Sequence, residues 1–419
     1  MIYRLIIFLF CPIISMGQFS EEYWTSYSTS NSNISSNNLQ TISFSTINPD
    51  VLYLGTKDGF SELNISNNVI STAVFPNINP FAITEIIENV DSSIILSHAF
   101  SGLSIRKKNV WEKINSQNSG LLSDSIFGLA LINDTLHIAH LYRGVQLFHK
   151  DSFWRDNGFV FPNNNSNIGG LETDIDGNLY AIGKGYYAVK SNNSWEYKNP
   201  LKDSLLIDSN YNGIHYDRQE GVLYVGAPLW QGFLMIKGEK IEQFKIPELD
   251  VYDDIVNSIK LGPFNRIWFC TNQGGVFIFN PKTKIAEINF SDFDSPLPNK
   301  DVRDVEFDLP NQTAYFATWG GGLAKWEYGK DPEFMAVMSA PEVKSPTPLL
   351  ISQNDKQLII QNLAPQSIIS IYNLQGQLLI REKSNNQTAK TLSPNFPSGI
   401  YLFKTTSPTG STSQKFLFT

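Results

Sequence analysis

The sequence predicts an all-β chain: a single seven-bladed β-propeller followed by a small C-terminal β-sandwich. Three observations carry this. Seven glycines, Gly59, Gly102, Gly144, Gly185, Gly232, Gly275 and Gly322, each open a strand of a hairpin and recur at steps of 41 to 47 residues. Short apolar alternating runs bounded by Asn, Asp, Gly and Pro fill each interval, and a period of 40 to 50 residues made of short strands is that of four-stranded propeller blades. Beyond Tyr328 the repeat stops, prolines accumulate, and a different set of short strands begins.

Composition narrows the function classes. The 419 residues carry a formal net charge of −8 and no basic block, so the Lys/Arg patch that nucleic-acid backbones require is missing. Residues 1–17 read as a secretory signal. Arg4 supplies the positive end, Leu5 to Ile14 the apolar centre, and Ser15-Met16-Gly17 a small-x-small cleavage site. Ten apolar residues are too few to span a bilayer, which needs about 20. Cys11 admits a lipoprotein reading that the bulky Phe10 before it disfavours. Cys270, the one other cysteine, lies in an apolar strand and reads as a buried thiol.

Each repeat can be justified in order. First strands alternate: Leu39–Phe44, Ile83–Ile87, Ile126–Leu131, Ile168–Thr173, Tyr211–Tyr216, Val256–Leu261 and Val302–Phe307. Turns such as Asn48-Pro49-Asp50 and Asp176-Gly177-Asn178 lead to second strands, for example Leu136–His140 and Ile267–Thr271. Third strands start at the repeated glycine, and fourth strands often hold a tryptophan (Trp111, Trp154, Trp195). Seven hairpins leave the last blade one strand short. Closing the ring removes the open edge, and Tyr23–Tyr27, with Trp24, matches a fourth strand that lacks its first three. The competing strand for that slot is Phe334–Val337. The propeller is therefore expected over 18–336, a Pro-rich linker over 337–348, and the terminal sandwich over 349–419.

The stretch Asn265–Thr283, NRIWFCTNQGGVFIFNPKT, and the segment NSGLLSDSIFGLALINDTLHIAHLYRGVQLF (Asn118–Phe148) resemble the repeat of two-component-regulator propellers. These occur in bacterial surface sensors and in PorZ-type proteins of the type IX secretion system. At the other end, SIYNLQGQLLI and FPSGIYLFKTTSPTGSTSQKFLF resemble the type A sorting domain of type IX secretion cargo, with Ser345-Pro346-Thr347-Pro348 where that family has Tyr-Pro-Asn-Pro. The resemblance implies a protein exported through the periplasm to the cell surface, with Leu349–Thr419 addressing it to the outer-membrane secretion machinery.

Chemistry is expected on the face that gathers the loops between second and third strands, because propeller strands converge there around a funnel. Phe100, Tyr142, Arg143, Tyr186, Trp230, Gln231, Asn272, Gln273 and Trp319 fall in or beside these loops. Aromatic faces with amide and charged neighbours suit sugar or peptide ligands. The loops entering first strands add acidic residues, Asp292 and Asp294 among them. A glycan, lipopolysaccharide or protein ligand and a monomeric state are the expectations, with no nucleic acid and no cofactor. No catalytic residues and no metal site are assigned. His98 and His140 share a strand end in adjacent blades, but a zinc site wants at least three ligands, so they read as polar strand ends like Thr56, Thr271 and Thr318. Asp174-x-Asp176-Gly177-Asn178 reads as a β-turn, since a strand starts at once where a calcium loop would continue. Two rival functions stay open: an accessory part of the secretion machinery, and a propeller-fold hydrolase or lyase acting on carbohydrate.

Overall fold

The computed structural model describes residues 19–73, 82–156, 159, 167–198, 212–227, 232–244, 255–339 and most of 350–418. Within 350–418 the exceptions are 355–356, 362, 364–366, 374–377, 385–388, 395–396, 398 and 408–409. The leader over 1–17, the Pro-rich stretch after Ala340 and the Trp230-Gln231 pair lie outside the described residues.

Seven four-stranded antiparallel sheets follow one another: blade 1 (39–72), blade 2 (83–114), blade 3 (126–155), blade 4 (168–198), blade 5 (212–244), blade 6 (256–290) and blade 7 (302–326). The first strand of each blade packs on the first strand of the next, and that of blade 7 packs on that of blade 1, so the ring is closed. Blade 7 supplies only three strands of its own. Its fourth is the N-terminal strand Trp24–Tyr27, in the register Trp24↔Trp326 to Tyr27↔Leu323. The competitor, Phe334–Val337, is helical instead, inside Pro332–Met338. Asp331 caps that helix by accepting from the Glu333 and Phe334 N–H groups (3.1 and 3.3 Å).

Aromatic packing explains why the seam holds. Trp24 stacks on Trp326 (centroids 5.0 Å, 12° between planes) and on Phe316 (5.7 Å), while Phe19 meets Trp326 edge-on at 5.1 Å. From the other end of the ring, Phe334 meets the same Trp326 at 4.7 Å and Trp268 at 6.0 Å. Entry to and exit from the ring are thus pinned on one indole.

The repeated glycines are used as the hairpins require. Gly102, Gly144, Gly185, Gly232, Gly275 and Gly322 have φ between +71° and +85°, a region costly for residues with a Cβ, whereas Gly59 at +157° departs from the set. A Cβ on Gly102, Gly275 or Gly322 would collide with the carbonyl oxygen of Ile114, Phe290 or Tyr27 respectively. Ile114 and Phe290 end ordinary fourth strands; Tyr27 ends the N-terminal one. The borrowed strand therefore occupies its slot as a native fourth strand does.

A three-stranded sheet (Leu350–Asn354, Gln357–Gln361, Ala389–Leu392) and a four-stranded sheet (Leu378–Lys383, Ile368–Tyr372, Gly399–Ser407, Gly410–Phe418) share one core. Leu358, Ile360 and Leu392 from the first meet Ile369, Ile371, Tyr401, Phe403 and Phe418 from the second, which makes a sandwich.

Candidate binding site

Every first strand carries the same irregularity. Register slips by one residue after the first paired position in all seven blades, leaving Gln40, Thr84, Phe127, Gly169, Gly213, Asn257 and Arg303 unpaired. A bulge bends its strand and re-aims the side chains that follow. All seven skipped residues line one central channel of about 770 Å³, together with the residues just after them.

Side chains one place past the bulge reach sideways and fasten blade to blade. Glu85 of blade 2 accepts from the Leu129 N–H of blade 3 (2.6 Å), and Asp304 of blade 7 accepts from the Ile42 N–H of blade 1 (3.1 Å). Asp304 also accepts from Thr41 Oγ1 (3.1 Å) and Ser258 Oγ (2.7 Å), so one carboxylate ties blades 6, 7 and 1 together. Bulged side chains add a second tier: Thr84 Oγ1 donates to the Ile126 carbonyl (3.0 Å) and Asn257 Nδ2 to the Val302 carbonyl (2.8 Å).

Lys260 is the hub of the charge in the channel. Its Nζ lies 2.8 Å from Glu306 and 4.0 Å from Asp304. Burial works against the ammonium, but Glu306 and Asp304 outweigh it and raise its pKa. Burial pushes the Glu85 carboxyl up to about 8 and raises Glu172 and Glu306 as well, against the pull of Lys260. His215, 4.0 Å from Glu172, is pushed down to about 4 by burial and by Lys260 and Arg218. The channel wall mixes apolar and charged side chains, and Lys260 of blade 6 pairs with Glu306 of blade 7 across it.

The sequence-expected residues divide. Phe100 and Tyr142 are 59% and 62% exposed, each two residues before the glycine of adjacent blades 2 and 3. Arg143 is exposed beside Tyr142. Trp319 is linked to the channel through Arg303, which lines it, lies 4.9 Å over the indole ring and is held by Asp301 at 2.7 Å. Asn272 instead pins the loop before blade 6, exchanging bonds with Ile255 (2.8 and 3.1 Å), next to the half-buried Gln273. Tyr186 is a correction. It is 2% exposed in a blade core, and its hydroxyl donates to the Asn167 carbonyl (2.9 Å), so it cannot contact a ligand.

His98 and His140 are polar strand ends. His98 Nε2 lies 2.8 Å from Ser104 Oγ and His140 Nε2 lies 3.0 Å from Gln146 Oε1, matching Thr56, Thr271 and Thr318, whose hydroxyls bond the third-strand glycine carbonyls. Asp174 closes its β-turn by accepting from the Asp176 and Asn178 N–H groups (both 2.9 Å). Sequence reasoning missed the channel charges. No signal in the sequence set them apart: Glu172, Lys260 and Glu306 fall at the polar positions of alternating strands, where a solvent-facing residue would also stand.

The closed seven-bladed ring and the terminal sandwich with its own core define the class of protein: a β-propeller chain that ends in a small β-module. Residues 352–419 match the secretion system C-terminal sorting domain, which marks the chain for type IX export to the cell surface. Among solved structures it is similar to PorZ, an essential bacterial surface component of the type IX secretion system of Porphyromonas gingivalis. That match has a TM-score of 0.56 and 12% identity, covering 93% of this chain and 60% of PorZ. An extracellular domain of a hybrid two-component system from B. thetaiotaomicron is similar at TM-score 0.58 and 16% identity, over 89% of this chain and 49% of that one. Virginiamycin B lyase from Staphylococcus aureus matches at TM-score 0.58 and 13% identity, over 72% of this chain and 98% of the lyase. The chain thus spans only about half to three fifths of the first two structures. The fold is shared by surface components, sensor domains and a lyase. No curated protein matches the sequence.

Proposed function

We propose that the propeller is a recognition module, displayed at the cell surface by its sorting domain, that binds a saccharide at the mouth of the channel. The observation that carries this is the pair Phe100 and Tyr142. Two large rings stand exposed at the same loop position of neighbouring blades, on the face where Arg303 links Trp319 to the channel. Sugar rings offer flat C–H faces to aromatics and hydroxyls to amides and charges. Gln40 provides such a polar group along the wall.

The test is binding of the mature chain to a glycan array and to purified lipopolysaccharide, beside the double variant Phe100→Ala/Tyr142→Ala. A saccharide bound by the parent and weakened roughly tenfold or more in the variant is expected. No saccharide bound, or equal binding by both proteins, overturns the reading. A role in the secretion machinery, as the PorZ likeness raises, predicts instead that deleting this protein strands other exported proteins in the periplasm.

A further inference from the structure

Three of the loops that enter first strands are copies of one scaffold. In 28–34, 115–121 and 291–297 the opening N–H donates to an Oδ1 three residues on: Ser28 to Asn31 (2.8 Å), Asn115 to Asn118 (2.8 Å) and Ser291 to Asp294 (2.7 Å). The serine four residues on donates its hydroxyl back to the opening carbonyl: Ser32 (2.8 Å), Ser119 (2.7 Å) and Ser295 (2.5 Å). An aliphatic side chain six residues on is buried as a plug: Ile34, Leu121 and Leu297. The residues between these fixed points vary, the tip most widely. It is Ser30 in the first, Gln117 in the second and Phe293 in the third, and all three are exposed.

Two copies show that the scaffold folds with a polar tip, so nothing in the loop calls for a phenyl ring. Phe293 is nevertheless 93% exposed, more than any other large apolar side chain among the described residues. It contributes almost nothing to the fold by burial.

We propose that Phe293 is an anchor that inserts into an apolar pocket, rimmed by basic residues, on a partner protein. Its ring projects from a tip with every side in water, which suits insertion rather than the flat platform a sugar needs. Asp292 and Asp294 flank it, and both are exposed. Two carboxylates repel an anionic lipid surface or lipopolysaccharide phosphates and complement a cationic rim. The hydrogen-bonded turn and buried Leu297 hold the anchor in place before binding, which lowers the ordering cost. An aromatic side chain on a rigid support is the usual form of an interface hot spot. The loop lies between blades 6 and 7, across the ring from Phe100 and Tyr142, so this site stands independently of the saccharide reading.

The experiment uses the full chain in intact cells, with photoreactive benzoyl-phenylalanine placed at position 293 and, as control, at 117. Irradiation is expected to give a discrete protein adduct from 293 that 117 does not give. That protein, purified, should bind the parent roughly tenfold or more tightly than Phe293→Ser, and more weakly as salt rises. Phe293→Ser should melt with the parent, since Ser30 already sits on the same scaffold. Identical adducts from both positions, adducts only to a second copy of this chain, to lipid or to saccharide, or equal binding by Phe293→Ser would each overturn the proposal.

Discussion

Glu85 and three buried histidines pull stability in opposite directions along the pH axis. Burial lowers His137, His140 and His215 to about 4, so between pH 6.5 and 4 the unfolded chain takes up protons that the folded chain refuses. Stability is therefore lost as pH falls through that window, by up to about 1.4 kcal/mol per pH unit for each histidine. Glu85 acts oppositely. Its folded pKa is raised to about 8, so its contribution is full below 4.5 and is lost as pH rises toward 8. Glu85→Gln keeps an acceptor for the Leu129 N–H and removes the titration. The variant should melt higher than the parent at pH 8.5 and lower or equal at pH 4; an unchanged difference between the two pH values would show that folding leaves the Glu85 pKa unshifted. At this scale legibility was uneven. Six glycines were readable because one backbone conformation recurs, and that demand falls on residue type. The charges of the channel were visible as residues but not as a cluster, because Glu85 and Lys260 are brought together only by closure of the ring.

Among the elements, the N-terminal strand shows how far pattern can reach. An aromatic run without its three partners and a blade lacking one strand together specified the pairing of Trp24–Tyr27 with Gly322–Trp326. The alternative at Phe334–Val337 failed for a local reason: Asp331 caps a helix there, and its Phe334 fills the space beneath Trp326. Bulges were not legible, since one extra residue in a strand leaves no mark on composition. Because Trp24 is 9% exposed and stacks between blade 7 aromatics, Trp24→Ala should destabilise by about 3–5 kcal/mol in urea unfolding. A loss under 1 kcal/mol would mean the ring holds without its borrowed strand. In the terminal sandwich, Tyr401 is 7% exposed and donates its hydroxyl to the Pro397 carbonyl (2.6 Å), so it serves the core.

At the scale of the whole molecule, the chain joins a ring that closes on its own first strand to a sandwich that has its own core and carries the sorting address. The blade count was legible because the period repeats seven times. The channel was not, because its wall is assembled from one strand of every blade. The most direct test is to truncate the chain after Ala340, removing the entire terminal sandwich, and to follow the propeller by protease shaving of intact cells. A folded propeller, protected in the periplasm, is expected, while the parent is digested at the surface. A truncated chain that still reaches the surface, or one that no longer folds, would contradict this expectation.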